Sequence, residues 1–159
     1  MPAILPWRVA YALSALVFLS ACSSPVSSHG DGSARQRART SNSITIANDN
    51  GGQILGYVVK SRELRRSRKT IRFVGRCDSA CTLYLGNPNK CIAPGATFGF
   101  HAPYGTSAKA NRRWKAHMNG AYPNWVRSWL GARGGLTDKL KVMPYHYARR
   151  YIRACPTTA

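Results

Sequence analysis

Hydrophobic positions fall into distinct spacings along the chain. Residues 9–19 are an almost unbroken apolar run, shorter than the roughly 20 residues needed to span a bilayer. From 23 to 42 the pattern disappears: Ser, Gly and Arg dominate and Val26 is the one strongly apolar side chain. Such a stretch cannot bury enough surface to offset its ordering entropy, so it reads as a disordered spacer. β-Rich sequence begins at Ser43-Ile44-Thr45-Ile46-Ala47, followed by the dense turn chemistry of Asn48-Asp49-Asn50-Gly51-Gly52. Ile54, Leu55, Val58, Val59 and Leu64 then recur near helical spacing. Lys60, Arg62, Arg65 and Arg66 close that segment with cations that suit a helix C-terminus.

Thr70-Ile71-Arg72-Phe73-Val74 predicts a second strand, and Gly75-Arg76-Cys77-Asp78-Ser79 a sharp turn. Residues 80–85 read as a short buried helix. Residues 96–101 read as a third strand, stopped by Ala102-Pro103. Residues 108–132 are mostly helical, with a break at Tyr122-Pro123, and 137–153 hold one or two further short helices broken near Pro144. The alternation of strand and helix predicts an α/β fold: a short parallel sheet with right-handed crossovers and flanking helices. Trp114, Met118, Tyr122, Trp125, Trp129 and Leu130 form a helical stripe that suits packing on the sheet; an exposed patch for lipid or a partner subunit is the alternative.

Charge changes the picture more than composition does. Among 159 residues, 24 Lys and Arg face 5 Asp and Glu, for a formal net charge of +19. Such a surface favours anionic partners: lipid headgroups, acidic polysaccharide or nucleic acid. The cluster from Arg62 to Arg76 fits a nucleic-acid footprint, but a solvated or headgroup-facing surface is the better reading.

The tether is implied by the leader. Trp7-Arg8 gives a weakly positive start, and Leu19-Ser20-Ala21-Cys22 closes the apolar run. This resembles the lipobox of bacterial lipoproteins, whose cysteine is acylated before cleavage. The resemblance implies a signal peptide at 1–21, lipidation of Cys22, a membrane tether at 22–42 and a folded domain at 43–159. Ser23 and Ser24 come after the cysteine with no Asp there, so the expected location is the outer membrane, facing the periplasm. Arg35, Arg37 and Arg39 would add about 1 kcal/mol each near anionic headgroups.

Three features fall at equivalent strand ends. Gly51-Gly52 follows the first strand, Ser79 follows the second at the start of a helix, and His101 ends the third. In an open parallel sheet those ends line one crevice. The set suits acyl transfer, which calls for no cofactor or metal. A serine hydroxyl is activated by a base, histidine is that base near neutral pH, and the oxyanion needs fixed N–H donors. A glycine turn and the amide of Ala80 at a helix N-terminus supply such donors.

The same residues carry a family resemblance. Asp49-Asn50-Gly51-Gly52 resembles the Ser-Pro-Gly-Gly turn of the Clp protease proteolytic subunit. Cys77-Asp78-Ser79-Ala80-Cys81 resembles its nucleophile turn, and more closely the Cys-x-Ser-Ala-Cys form of the predicted periplasmic branch of the Clp protease/crotonase superfamily. Gly99-Phe100-His101-Ala102-Pro103 resembles the strand that ends in the catalytic histidine. Gly86 and Ala93-Pro94-Gly95-Ala96 also match, so the similarity runs from Ile44 to Pro103. It implies a ββα-type core, Ser79 as nucleophile, His101 as general base, and Gly52 and Ala80, beside Gly51, as the oxyanion and substrate-binding turn. A peptide or acyl group would be the substrate.

Two departures stand out. Asp138 is the one acid after His101 and so the default third triad member, although by spacing the family's Asp falls nearer His146-Tyr147. The domain is also shorter than the family's, so strands are truncated or replaced by contacts in a homo-oligomer. Crotonase-type enzymes share the glycine scheme but act on acyl thioesters, usually without a Ser–His pair. The chief alternative to a serine peptidase is a degenerate member that binds anionic envelope components or a protein partner.

Cys77, Cys81, Cys91 and Cys155 remain once Cys22 is set aside. An even number in an oxidising compartment predicts two disulfides. Three pairings are open; a bridge from Cys77 or Cys81 to Cys91 would lock the nucleophile turn. A four-cysteine zinc site is the rival.

Overall fold

A computed structural model describes residues 42–156. The expected signal peptide, Cys22 and the tether up to residue 41 lie outside the described residues. The elements in chain order are β1 (Ser43–Ile46), α1 (Ile54–Arg66), β2 (Thr70–Phe73), β3 (Arg76–Asp78), a 3-10 helix (Ser79–Gly86), β4 (Lys90–Ile92), β5 (Thr97–Phe100), α2 (Ala108–Ala121), α3 (Asn124–Gly131), β6 (Lys141–Met143) and α4 (Tyr145–Ala148).

The strands form two small sheets. The first has the order β1-β2-β4 and is wholly parallel, with Ile44 opposite Ile71 and Phe73 opposite Ile92. The second has the order β3-β5-β6; β3 runs parallel to β5, with Cys77 opposite Phe98, and β6 runs antiparallel to it. A bridge between Asp49 and Cys77 joins the chain after β1 to β3. Its two bonds, Asp49 N to Arg76 O and Asp78 N to Asp49 O, are both 2.8 Å. This bridge sets the glycine turn beside the end of β3.

The core lies between the sheets and under the helices. Phe73 of β2 meets Phe98 of β5 edge-on at 4.9 Å, and Phe100 packs against Tyr122 at 5.5 Å and Trp129 at 5.7 Å. α1 buries Val58, Ser61 and Leu64, one face at helical spacing. Met118, Tyr122, Trp129 and Leu130 are buried and Trp114 and Trp125 pack against the core, so the aromatic stripe serves packing.

Several expectations need correction. Residues 76–78, read as part of a turn, form a strand, and the reversal is concentrated at Ser79. Residues 141–143, read as helical, form an edge strand on β5. The third expected strand pairs in the second sheet, not beside β1 and β2. The cysteines are joined as Cys77–Cys81 and Cys91–Cys155, so no bridge runs from the nucleophile turn to Cys91. The reason is topological. Cys91 sits on β4 in the first sheet, where Cys155 N bonds Ile92 O at 3.0 Å and brings Cys155 alongside. With all four cysteines so paired, no thiolate is left for the zinc alternative.

Candidate active site

Ser79 opens the 3-10 helix directly after β3, with extended Asp78 as its N-cap. Its φ is +56°, a left-handed conformation that costs a non-glycine residue about 1–2 kcal/mol. Strain of this kind concentrates at functional turns when the surroundings over-determine it. Here Thr82 Oγ1 donates to the Ser79 carbonyl at 2.5 Å and lies 2.8 Å from the Tyr122 hydroxyl. Cys77 and Cys81 close the turn covalently from either side.

The glycine turn packs on this corner. Gly51 has φ +79°, and a Cβ there would lie 2.7 Å from the Asp78 carbonyl oxygen and from Ser79 Cβ, and 2.8 Å from Ala80 N. Glycine is therefore required both for the backbone angle and for the close approach. Asp49 Oδ1 accepts hydrogen bonds from the Gly51 amide at 2.8 Å and from the Tyr57 hydroxyl at 2.7 Å. Burial, and then Asp49, push the Tyr57 phenol well above its ordinary pKa. The Gly51 amide is thus occupied, which takes it out of the expected donor set. The amides of Gly52 and Ala80 have no hydrogen-bond partner among the described residues, and that of Ala80 lies in the first turn of its helix, where N–H groups lack internal acceptors.

His101 follows β5 directly. Its Nδ1 lies 2.8 Å from the Ala102 carbonyl oxygen. A carbonyl only accepts, so Nδ1 carries the hydrogen and Nε2 of the neutral ring is left with a free lone pair. The exposed Tyr104 ring lies 5.4 Å from the imidazole. Ser79, His101, Gly51 and Gly52 all line one cleft of about 540 Å³, walled further by Ile54, Leu55, Tyr104 and Trp114. No hydrogen bond joins the Ser79 hydroxyl to the imidazole among the described residues; such bonds are often long before substrate binds.

Asp138 is not brought to this cleft. It is exposed, lines no part of the cleft and makes no ion pair with His101. Its neighbour Thr137 does reach the site's edge, accepting from Ala102 N at 2.5 Å. His146, near the position that spacing favoured, is exposed on α4.

The carboxylate that does lie at the site is Asp78, which sequence reasoning passed over as a turn residue. It is 8% exposed, pairs with Arg76 Nε through Oδ2 at 3.1 Å, and lays Oδ1 across the Gly99 backbone without a well-formed hydrogen bond. Burial raises its pKa, while Arg76, then the Gly99 backbone and, more weakly, His101 act against the rise. Its charge and that of His101 therefore feel one another. The available signal was an acid immediately before the serine in a chain with 5 acids in all.

Similarity to known proteins is one of structure and not of sequence. No protein-family model matches the chain, and no curated protein sequence matches it. Among solved structures, an asparagine-to-aspartate variant of ClpP1 from Listeria monocytogenes is similar, with a TM-score of 0.52 and 20% identity over 69% of this chain and 68% of that one. At that identity the likeness is one of fold: a mixed α/β, ClpP-like fold with a short parallel sheet and flanking helices.

Proposed function

We propose that the chain is an envelope lipoprotein whose folded domain is a serine hydrolase, a peptidase in its substrate class. The observation that carries this is the shared cleft: Ser79, His101 and the Gly51-Gly52 turn line it together, with two amides beside the serine that have no partner among the described residues.

The chemistry is set by those positions. Ser79 Oγ attacks the substrate carbonyl carbon as its proton passes to His101 Nε2. The Ala102 carbonyl, accepting from Nδ1, holds the tautomer that makes Nε2 the base. The tetrahedral oxyanion accepts from the Gly52 and Ala80 amides, and each such donor contributes about 2.7–4 kcal/mol to the transition state. The imidazolium then protonates the leaving amine or alkoxide, and water, deprotonated by the same ring, releases the acyl group. Asp78 supplies negative charge that stabilises the imidazolium without touching it.

Burst kinetics test this. A p-nitrophenyl ester should give a p-nitrophenol burst stoichiometric with wild-type enzyme and none with Ser79→Ala; a folded wild type with neither burst nor turnover overturns the proposal. The second reading, a binding lipoprotein with the fold kept and catalysis lost, is favoured by the lack of a Ser79–His101 hydrogen bond and by the exposure of Asp138, and the same experiment separates the two.

The anchor is supported by Leu19-Ser20-Ala21-Cys22. Metabolic incorporation of an alkynyl palmitate that Cys22→Ser abolishes is the expected outcome, with the protein fractionating with outer membranes.

A further inference from the structure

The Cys77–Cys81 disulfide closes a ring of five consecutive residues with Ser79 at its centre. One end of the ring is fixed in a sheet, since Cys77 pairs with Phe98 of β5. The other end, Cys81, is fixed in the 3-10 helix. Both cysteines are 0% exposed and their Cα atoms are 5.4 Å apart. The joint between strand and helix cannot open without breaking this bond, and Ser79 is its strained residue, at φ +56°.

A ring this short removes roughly half the unfolded-chain entropy that the loop closed by Cys91–Cys155 does. Its further effect lies in the native state. Unlinked, the corner keeps the Thr82 bond and the Gly51 contact but loses its covalent tie against the ordinary right-handed or extended conformations, which for a non-glycine residue are favoured about five- to thirty-fold. A change of φ at Ser79 reorients its side chain and the Ala80 amide that follows it. Gly51 packs on this backbone but does not tie it covalently.

Given Ser79 as the nucleophile, a reading on which this inference rests, we propose that the Cys77–Cys81 disulfide is a positioning clasp. It holds Ser79 and the Ala80 amide in reactive geometry. Its role is distinct from that of Cys91–Cys155, which staples the C-terminal segment to β4. The fold thus carries one disulfide for reactivity and one for stability.

The test compares fluorophosphonate labelling rates of wild type, Cys77→Ala/Cys81→Ala and Cys91→Ala/Cys155→Ala, with each variant's Tm and its kcat and KM on an ester. The clasp variant is expected to label about five- to thirty-fold more slowly, with kcat reduced and KM within about twofold. The staple variant is expected to lose more Tm yet label at the wild-type rate. Equal labelling by folded clasp variant and wild type overturns the proposal, as does equal slowing in the staple variant. A wild type that does not label at all removes the nucleophile reading, and the clasp with it. If the clasp variant does not fold, wild type is labelled in dithiothreitol, whose two thiols oxidise to a cyclic disulfide as the Cys77 and Cys81 sulfurs each gain an electron and a proton. Mass spectrometry then compares labelling of molecules that have lost only this bond with intact ones; equal labelling again overturns the proposal.

Discussion

Gly51 lies so close to Ser79 that a methyl group on its Cα would come within 2.7 Å of the serine Cβ. The two turns that carry the candidate chemistry are thus in direct backbone contact. Gly51→Ala must strain a backbone at φ +79° and push apart a corner made of main-chain atoms. The expected loss is at least 2–3 kcal/mol, seen as a Tm drop of roughly 10 °C or more and loss of serine labelling. Gly56→Ala is the control: a Cβ there meets nothing within 4 Å, so stability should hold or rise slightly.

Asp78 links stability to catalysis. Burial raises its pKa, so it binds its proton more tightly folded than unfolded. The stability this contributes is fully present below the ordinary carboxylate pKa of about 4 and is lost as pH rises through the raised value. Asp78→Asn removes that dependence. The stability of the variant relative to wild type should therefore increase with pH across this window, as measured by urea unfolding at a series of pH values. Because the Asp78 carboxylate favours a positive charge on His101, Asp78→Asn should also lower kcat, read from initial rates on an ester at neutral pH.

Asp138 gives the opposite expectation. It is exposed and has no ion pair with His101, so Asp138→Asn should leave kcat/KM within about twofold of wild type, as surface substitutions do. A loss of about 10³-fold or more, on the scale of a lost triad carboxylate, would assign it the orienting role instead.

The Cys91–Cys155 bridge closes a loop with a sequence separation of 64, which in the chain-entropy treatment contributes about 4 kcal/mol. Cys91→Ala/Cys155→Ala should lower Tm by roughly 15 °C, measured by circular dichroism.

The sequence made some parts of this molecule plain and hid others for physical reasons. α1 and the α2–α3 region were legible because their apolar positions recur over 8 residues or more. The strand ends at Gly51 and His101 were legible because turn residues and Pro103 punctuate apolar runs, whereas Ser79 follows β3 in the second sheet and not the expected strand at 70–74. β3, β4 and β6 were not, since 3 residues each are too few to show a period. β3 also reads Arg-Cys-Asp, which looks like turn chemistry. The disulfide pairing depended on which sheet each cysteine joined, a tertiary fact. The presence of Asp78 at the site likewise arises only once β1's extension bridges to β3, whereas Asp49's hold on the Gly51 amide is a local Asx turn.

The most direct measurement is intact-protein and peptide mass spectrometry after incubation with a fluorophosphonate at neutral pH. One adduct per chain is expected, mapped to Ser79, absent in Ser79→Ala and formed at least about 10²-fold more slowly in His101→Ala. No adduct on a folded wild-type chain, or one that survives Ser79→Ala unchanged, contradicts the serine-hydrolase reading.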